Sequence, residues 1–186
     1  MNEQIFDTFP ELDTERLVLR KITLDDDKRL LDVLSDEATC EYLTHNALND
    51  IEAIRRIING MQMFYEEKKR VRWGIVQKED GALLGHCGFF DINRYDCSAE
   101  ISYCLKSDSW GRGIMTETLE TMLKFGFEEY GLNRVTAKVI KGNINSFKVL
   151  NHLGFVREGV MRASLLKNGR YFDLVIFSLL NNEYHN

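Results

Sequence analysis

The chain has 186 residues, 44% of them hydrophobic and 28% charged, with a single proline and a formal net charge of −5. That is enough chain for one globular unit with a real core. The acid excess disfavours a general nucleic-acid binder, which needs clustered Lys and Arg against the phosphates, and leans instead toward cationic partners such as amines or basic peptides. No apolar run approaches the roughly 20 residues of a bilayer span. The opening MNEQIFDTFPELDTERL lacks the basic and apolar stretches of a secretion signal, so a cytoplasmic protein is expected.

In chain order, residues 1–13 read as a lead-in and RLVLRKI (16–22) as a strand, by its alternating and β-branched residues. TLDDDKRLLDVLSD opens a helix on Thr23 as N-cap, with acids in the first turn. Residues 49–67 form a second helix with Ile51, Ile54, Ile57, Ile58 and Met61 at helical spacing. VRWGIVQ and LLGHCGFFDI are strands joined across KEDGA, whose Asp-Gly marks a hairpin turn. Residues 98–105 form a third strand of this group, alternating Ile101, Tyr103 and Leu105 with Glu100, Ser102 and Cys104.

The next helix carries Met115, Leu119, Met122, Leu123, Phe127 and Tyr130 on one stripe. RVTAKVI (134–140) is a strand, NSFKVLNHL (145–153) a short helix closed by Gly154, and two more strands end near LVIFSLL. No repeat, low-complexity tract or Gly/Ser linker divides the chain, so a single domain over residues 1–186 is expected. The order β α α β β β α β α β β is an α/β plan with an antiparallel front and a helix-bridged pair behind.

Two features bear on chemistry. Cys40, Cys87, Cys97 and Cys104 show no CxxC or Cys/His spacing, and His86 and His152 have no ligand partners at metal spacing, so reduced thiols and no metal are expected. In DSWGRGIMTET (108–118) a strand is followed by Gly111 and Gly113 and then a helix start. Glycines here expose backbone N–H groups at the positive end of the helix dipole, a cradle for an anion and above all for phosphate. Arg112 adds a charged donor. A P-loop is absent, and a dinucleotide fingerprint lacks its third glycine; taken alone, the stretch also fits a plain strand-to-helix turn.

AEISYCLKSDSWGRGIMTETL followed by LNRVTAKVIKGNINSFKVLNHLGFVREGV resembles the GNAT superfamily of acetyl-CoA-dependent N-acetyltransferases, and within it the branch that acetylates ribosomal-protein N-termini. The resemblance runs from TERLVLRKI to NGRYFDLVIFSLL. It implies a mixed, mostly antiparallel twisted sheet of about seven strands, splayed in the middle and flanked by about four helices. The family's pyrophosphate loop, Gln/Arg-x-x-Gly-x-Gly/Ala, falls on residues 110–115: Gly113 matches, while Trp110 and Met115 replace the outer positions. By resemblance the amides of Gly111, Arg112, Gly113, Ile114, Met115 and Thr116 hold the coenzyme A pyrophosphate. Ser102, Tyr103 and Cys104 then pair with the pantetheine arm, and Asn143 hydrogen-bonds it.

Many members protonate the departing thiolate with a tyrosine four residues before the Gly-Phe pair, where this chain has Leu150. A serine takes that part in the ribosomal-protein branch, and Ser146 matches it; Ser146 also fits an ordinary helix cap. Glu100 matches the family's acidic strand residue and is the candidate base, with a salt-bridged strand acid as the plain alternative. A glutamate that some relatives place before the Asn-Gly turn is replaced by Leu165.

Neutralising a lysine near pH 7.4 costs roughly 4 kcal/mol and an α-amine under about 1 kcal/mol, so a weak base favours α-amines. Asp36, Glu37 and Glu41 could steer a cationic acceptor or form a solvated loop. The resemblance therefore implies acetyl transfer to a primary amine, foremost a protein N-terminus, by a monomer or homodimer. A small-molecule amine acetyltransferase and a non-catalytic acyl-CoA sensor stay open.

Overall fold

A computed structural model describes residues 1–184. Among them one eight-stranded sheet carries the fold, in the order β1-β2-β3-β4-β5-β6-β8-β7. The strands are β1 Leu12–Asp13, β2 Leu17–Lys21, β3 Val71–Gln77, β4 Leu83–Asn93, β5 Ser98–Leu105, β6 Arg134–Ile140, β7 Val156–Lys167 and β8 Arg170–Leu180. Neighbours run antiparallel except β5 and β6, which are parallel. The eighth strand beyond the seven expected is β1, two residues with no alternation to read.

Period-two burial explains why these segments are strands. Val71, Trp73 and Ile75 of β3 point to one face with Leu17 and Leu19 of β2, all fully buried. Helix α4, Ile114–Lys124, lays Leu119, Met122 and Leu123 on that face, and the chain continues through a π-helical turn over Phe125–Tyr130 to the left-handed Gly131. Helix α5, Ile144–His152, adds Leu150 and Phe147 to the same core.

The opposite face carries a second apolar cluster. Here α1, Asp27–Leu34, and α3, Ile51–Glu66, cover Ile22, Val76, Leu83 and Cys104 with Leu30, Val33, Ile54 and Ile58. Helix α3 begins on Asp50, whose carboxylate accepts from the Glu52 amide, a cap worth about 1 kcal/mol. Thr23 does not start α1 directly. It starts a 3-10 turn, Leu24–Asp26, and α1 follows from Asp27, because the buried Asp26 carboxylate is taken by both Arg20 nitrogens at 2.8 Å and by the Thr23 amide. Between α1 and α3 lies a four-residue helix α2, Glu37–Cys40. Among the described residues no helix is long and apolar enough to cross a membrane.

Two details position the site. Strands β5 and β6 pair only from Ser98↔Arg134 to Ile101↔Ala137. Beyond that β5 stays with β4 as far as Leu105↔Gly85, and β6 stays with β8 as far as Ile140↔Leu174. Each strand follows its outer neighbour, and the right-handed twist carries the two apart. Gly85 permits the close approach on the β4 side, where a Cβ would strike the Cys104 carbonyl oxygen. The β7–β8 hairpin turns on Asn168 and Gly169, both at positive φ as a two-residue primed turn requires.

Candidate active site

The parted strands open one wall of a cavity of about 910 Å³. At its upper end β5 runs into a short turn, Ser107–Ser109, and then the glycine loop ahead of α4. Gly111 and Gly113 have φ of 72° and 74°, a left-handed backbone that a side chain resists. The amides of residues 111–116 make no hydrogen bond to any described residue. Six unspent donors at a helix N-terminus are what the sequence pattern predicts for an anion cradle.

Surrounding contacts hold this loop. The Trp110 indole donates to the Leu105 carbonyl at 2.9 Å. Glu117, in the first turn of α4, accepts from Thr14, from the Arg16 amide and from Arg16 Nε at 2.7 Å, and Arg16 also donates to the Arg112 carbonyl. Burial by itself pushes the Glu117 carboxyl up, and those hydrogen bonds outweigh it and hold it below the usual range.

The structure brings nearly all the residues singled out from the sequence to one wall. Ser102, Tyr103 and Cys104 line the slot, and Trp110, Gly111, Gly113, Ile114, Met115 and Thr116 close its upper end. Arg112 is the exception: its side chain lines a smaller neighbouring cavity with Arg16 and Lys78. Asn143 and Ser146 face the slot from the start of α5. Asn143 Oδ1 caps that helix by accepting from the Ser146 amide at 3.1 Å, so the cap role foreseen for Ser146 belongs to Asn143, and the serine hydroxyl is left to the cavity.

Glu100 also lines the cavity, and Lys138 across the parting holds its carboxylate at 2.6 Å. The salt-bridged alternative is therefore the arrangement present. Leu150 is fully buried and Leu165 lines the cavity without an ionisable group. Tyr103 has a hydroxyl shut off from solvent and without a hydrogen-bond partner. Burial pushes this phenol up to about 12, with Ser146 the polar group acting against that rise. The Cys104 thiol is likewise raised to about 12 by burial, so it is inert.

The opposite end of the cavity draws on residues that sequence reasoning passed over. Arg70 enters from just before β3, Arg72 from β3, His86 from β4, and Tyr42 and His45 from the loop after α2. Burial first, then Arg72 and His45, hold His86 well below its usual range, so it is a neutral imidazole. Arg72 makes no hydrogen bond or ion pair with a described residue. The only legible sign of it was a charge inside the alternation of VRWGIVQ.

Lys167, at the hairpin turn, donates to the carbonyls of Cys40, Glu41 and Leu43 at 2.7, 3.0 and 3.0 Å and pins the loop that walls this end. Asp36, Glu37 and Glu41 do not line the cavity. Asp36 caps α2 and accepts from the Ser107 amide at 2.9 Å, while Glu37 and Glu41 face solvent and line no part of it. Among the described residues no cluster of His, Cys, Asp or Glu is placed to hold a metal ion.

A sheet parted beside a helix start with unspent amides sets an anion cradle and an open strand edge on one cavity. Residues 16–156 match the Acetyltransferase (GNAT) domain family, and the chain belongs to it; it is an N-acetyltransferase. The chain is 36% identical over 171 residues to uncharacterized N-acetyltransferase p20 of Bacillus licheniformis, covering 92% of this chain and 96% of that one. It is 26% identical to the ribosomal-protein-serine acetyltransferase of Escherichia coli over 68% of this chain and 70% of that protein. Its fold matches Mycobacterium smegmatis RimJ in complex with CoA-disulfide, with a TM-score of 0.87 at 22% identity over 95% and 90% of the two chains.

Proposed function

We propose that residues 1–186 act as one catalytic domain that moves an acetyl group from acetyl-CoA to a protein α-amine. The observation that carries the proposal is the meeting of two sets of unused groups: the free amides of residues 111–116, and the strand edge at Ser102, Tyr103 and Cys104 left open by β6. The residues fit the co-substrate. The amides of residues 111–116 would hold the diphosphate, and the β5 edge with the Asn143 side chain would hold the amide-bearing arm. When bound, acetyl-CoA supplies a thioester open to attack by a neutral amine.

Ser146 then stands to give its proton to the sulfur as the carbon–sulfur bond breaks and to take one back from water in the cavity. Glu100, already engaged by Lys138, takes the amine proton directly or through water. This is a modest base, and it suits an α-amine that needs under about 1 kcal/mol to neutralise rather than a lysine that needs roughly 4 kcal/mol. The E. coli relative's name, which specifies acetylation of a ribosomal protein, supports the same acceptor class.

The test is thiol release from acetyl-CoA with a panel of peptide N-termini, blocked peptides carrying a lysine side chain, and spermidine. Peptide N-termini are expected to turn over fastest; turnover by spermidine alone overturns the reading, and thermal stabilisation by acetyl-CoA without any thiol release marks a sensor instead. Ser146→Ala lowers kcat about a hundredfold with coenzyme affinity unchanged. An unchanged kcat in Ser146→Ala removes the serine from the chemistry.

A further inference from the structure

We infer that the acceptor carries a carboxylate close to its amine and that Arg72 is the residue that binds it. The inference rests on the α-amine reading above and narrows it to a substrate class: a peptide with an acidic side chain at its first or second residue, or a free α-amino acid.

Three observations place Arg72. Its strand neighbours Val71 and Trp73 point into the core under α4, so alternation turns Arg72 to the other face, where it lines the cavity. In register it lies opposite Gly88, and Gly88 lies opposite Ser102. Gly88 brings no side chain to this row, and two strand spacings of about 5 Å separate Arg72 from Ser102, within reach of an extended arginine and a small ligand between them. Ser102 is the first residue of β5 past the last pair with β6, which is where the slot begins.

The guanidinium also lacks a counter-ion. Its charged and titratable neighbours are Arg70, His86, Cys87 and Cys104: one like charge, a neutral imidazole and two thiols. Of the carboxylates on the cavity wall, Glu100 is held by Lys138, and Asp91 is exposed and makes no ion pair. Arginine cannot shed its proton to relieve the cost, and a half-buried cation without a counter-ion works against the fold that contains it. A ligand carboxylate removes that cost, since the guanidinium fork matches it with two parallel hydrogen bonds.

The anion is not the coenzyme's diphosphate. Arg72 is level with Ser102, three residues down β5 from Leu105, and the free amides begin only beyond Leu105 and the turn that follows. The same cation works against polyamines and lysine-rich peptides, which the net charge of the chain would have welcomed.

The experiment is calorimetry on the protein saturated with coenzyme A, for wild type, Arg72→Met and Arg72→Lys. Ligands are matched pairs: an amidated Ser-Asp-Ala-Tyr peptide against Ser-Asn-Ala-Tyr, and serine against serinamide. Wild type is expected to prefer the carboxylate member of at least one pair by about tenfold or more, as a charge-assisted contact implies. Arg72→Met should remove that preference while changing affinity for the amide member by less than about twofold; Arg72→Lys should keep part of it. Preference within the peptide pair identifies an acidic N-terminus, and within the serine pair a free amino acid.

Ligand-free Arg72→Met should melt at the same temperature as wild type or higher, because an unpaired cation has been removed. No carboxylate preference in wild type, a preference that survives Arg72→Met, equal loss for both members of a pair, or a clear fall in melting temperature each overturns the inference. Thiol release answers the other question. An Arg72-dependent preference with no turnover defeats acetyl transfer to α-amines and leaves the carboxylate site standing, while turnover without preference does the reverse.

Discussion

The two ends of the cavity are built from different materials. The end proposed for the coenzyme is backbone: six amides over residues 111–116 and the unpaired edge of β5. The end proposed for the acceptor is side chains brought from four distant places: Arg72 on β3, His86 on β4, Tyr42 and His45 on the loop after α2, and Leu165 near the end of β7. A backbone site tolerates many side chains provided the dihedrals are met, which is why Trp110 and Met115 can replace the family's usual residues there. A side-chain site has no such tolerance.

That contrast can be broken most forcefully at Gly113. A branched side chain at φ 74° costs roughly 1–2 kcal/mol in the left-handed region and turns the following amides away. Gly113→Val should weaken acetyl-CoA binding by about a hundredfold in calorimetry while the melting temperature drops only modestly. Retained affinity would show that the amides do not carry the site.

A smaller effect is expected from Lys167→Met, which cuts the three bonds to the acceptor loop. The acceptor KM should rise about tenfold with coenzyme affinity constant. A change in coenzyme affinity instead would mean that the two ends are coupled through the sheet.

The smallest concerns Asp36, which ties the loop preceding the acceptor wall to the turn preceding the glycines. Burial raises its carboxyl, and hydrogen bonds from Ser107 and Thr39 more than reverse that and hold it well below the usual range. A depressed carboxyl contributes stability that is present above its unfolded value near 4 and lost as the pH falls through the folded one. Asp36→Ala should therefore lower stability by about 1 kcal/mol at pH 7 and flatten the decline below pH 4 in acid-unfolding curves. An unaltered acid limb removes Asp36 from that role.

The strands and helices were legible because their signals are local: Val71, Trp73 and Ile75 alternate, and the α4 stripe repeats at helical spacing. Boundaries slipped where a tertiary partner intervened, as at Thr23, where the Arg20 guanidinium draws Asp26 into a 3-10 turn ahead of α1. Whole-chain charge does not describe the cavity. A net charge of −5 leans toward cations, yet the cavity wall gathers Arg70, Arg72, His45 and His86, since net charge sums a surface and says nothing of which side chains one cavity collects.

By itself the sequence determined the order of elements, the glycine-lined helix start and the family, because dihedral demands and short-range periodicity are written in consecutive residues. Only the tertiary structure decided that Glu100 is held by Lys138, that the Tyr103 hydroxyl is buried without a partner, and that Arg72 is left without a counter-ion. Those facts depend on strand register and on the parting of β5 from β6, which join residues far apart in the chain and leave no mark on the sequence near any one of them.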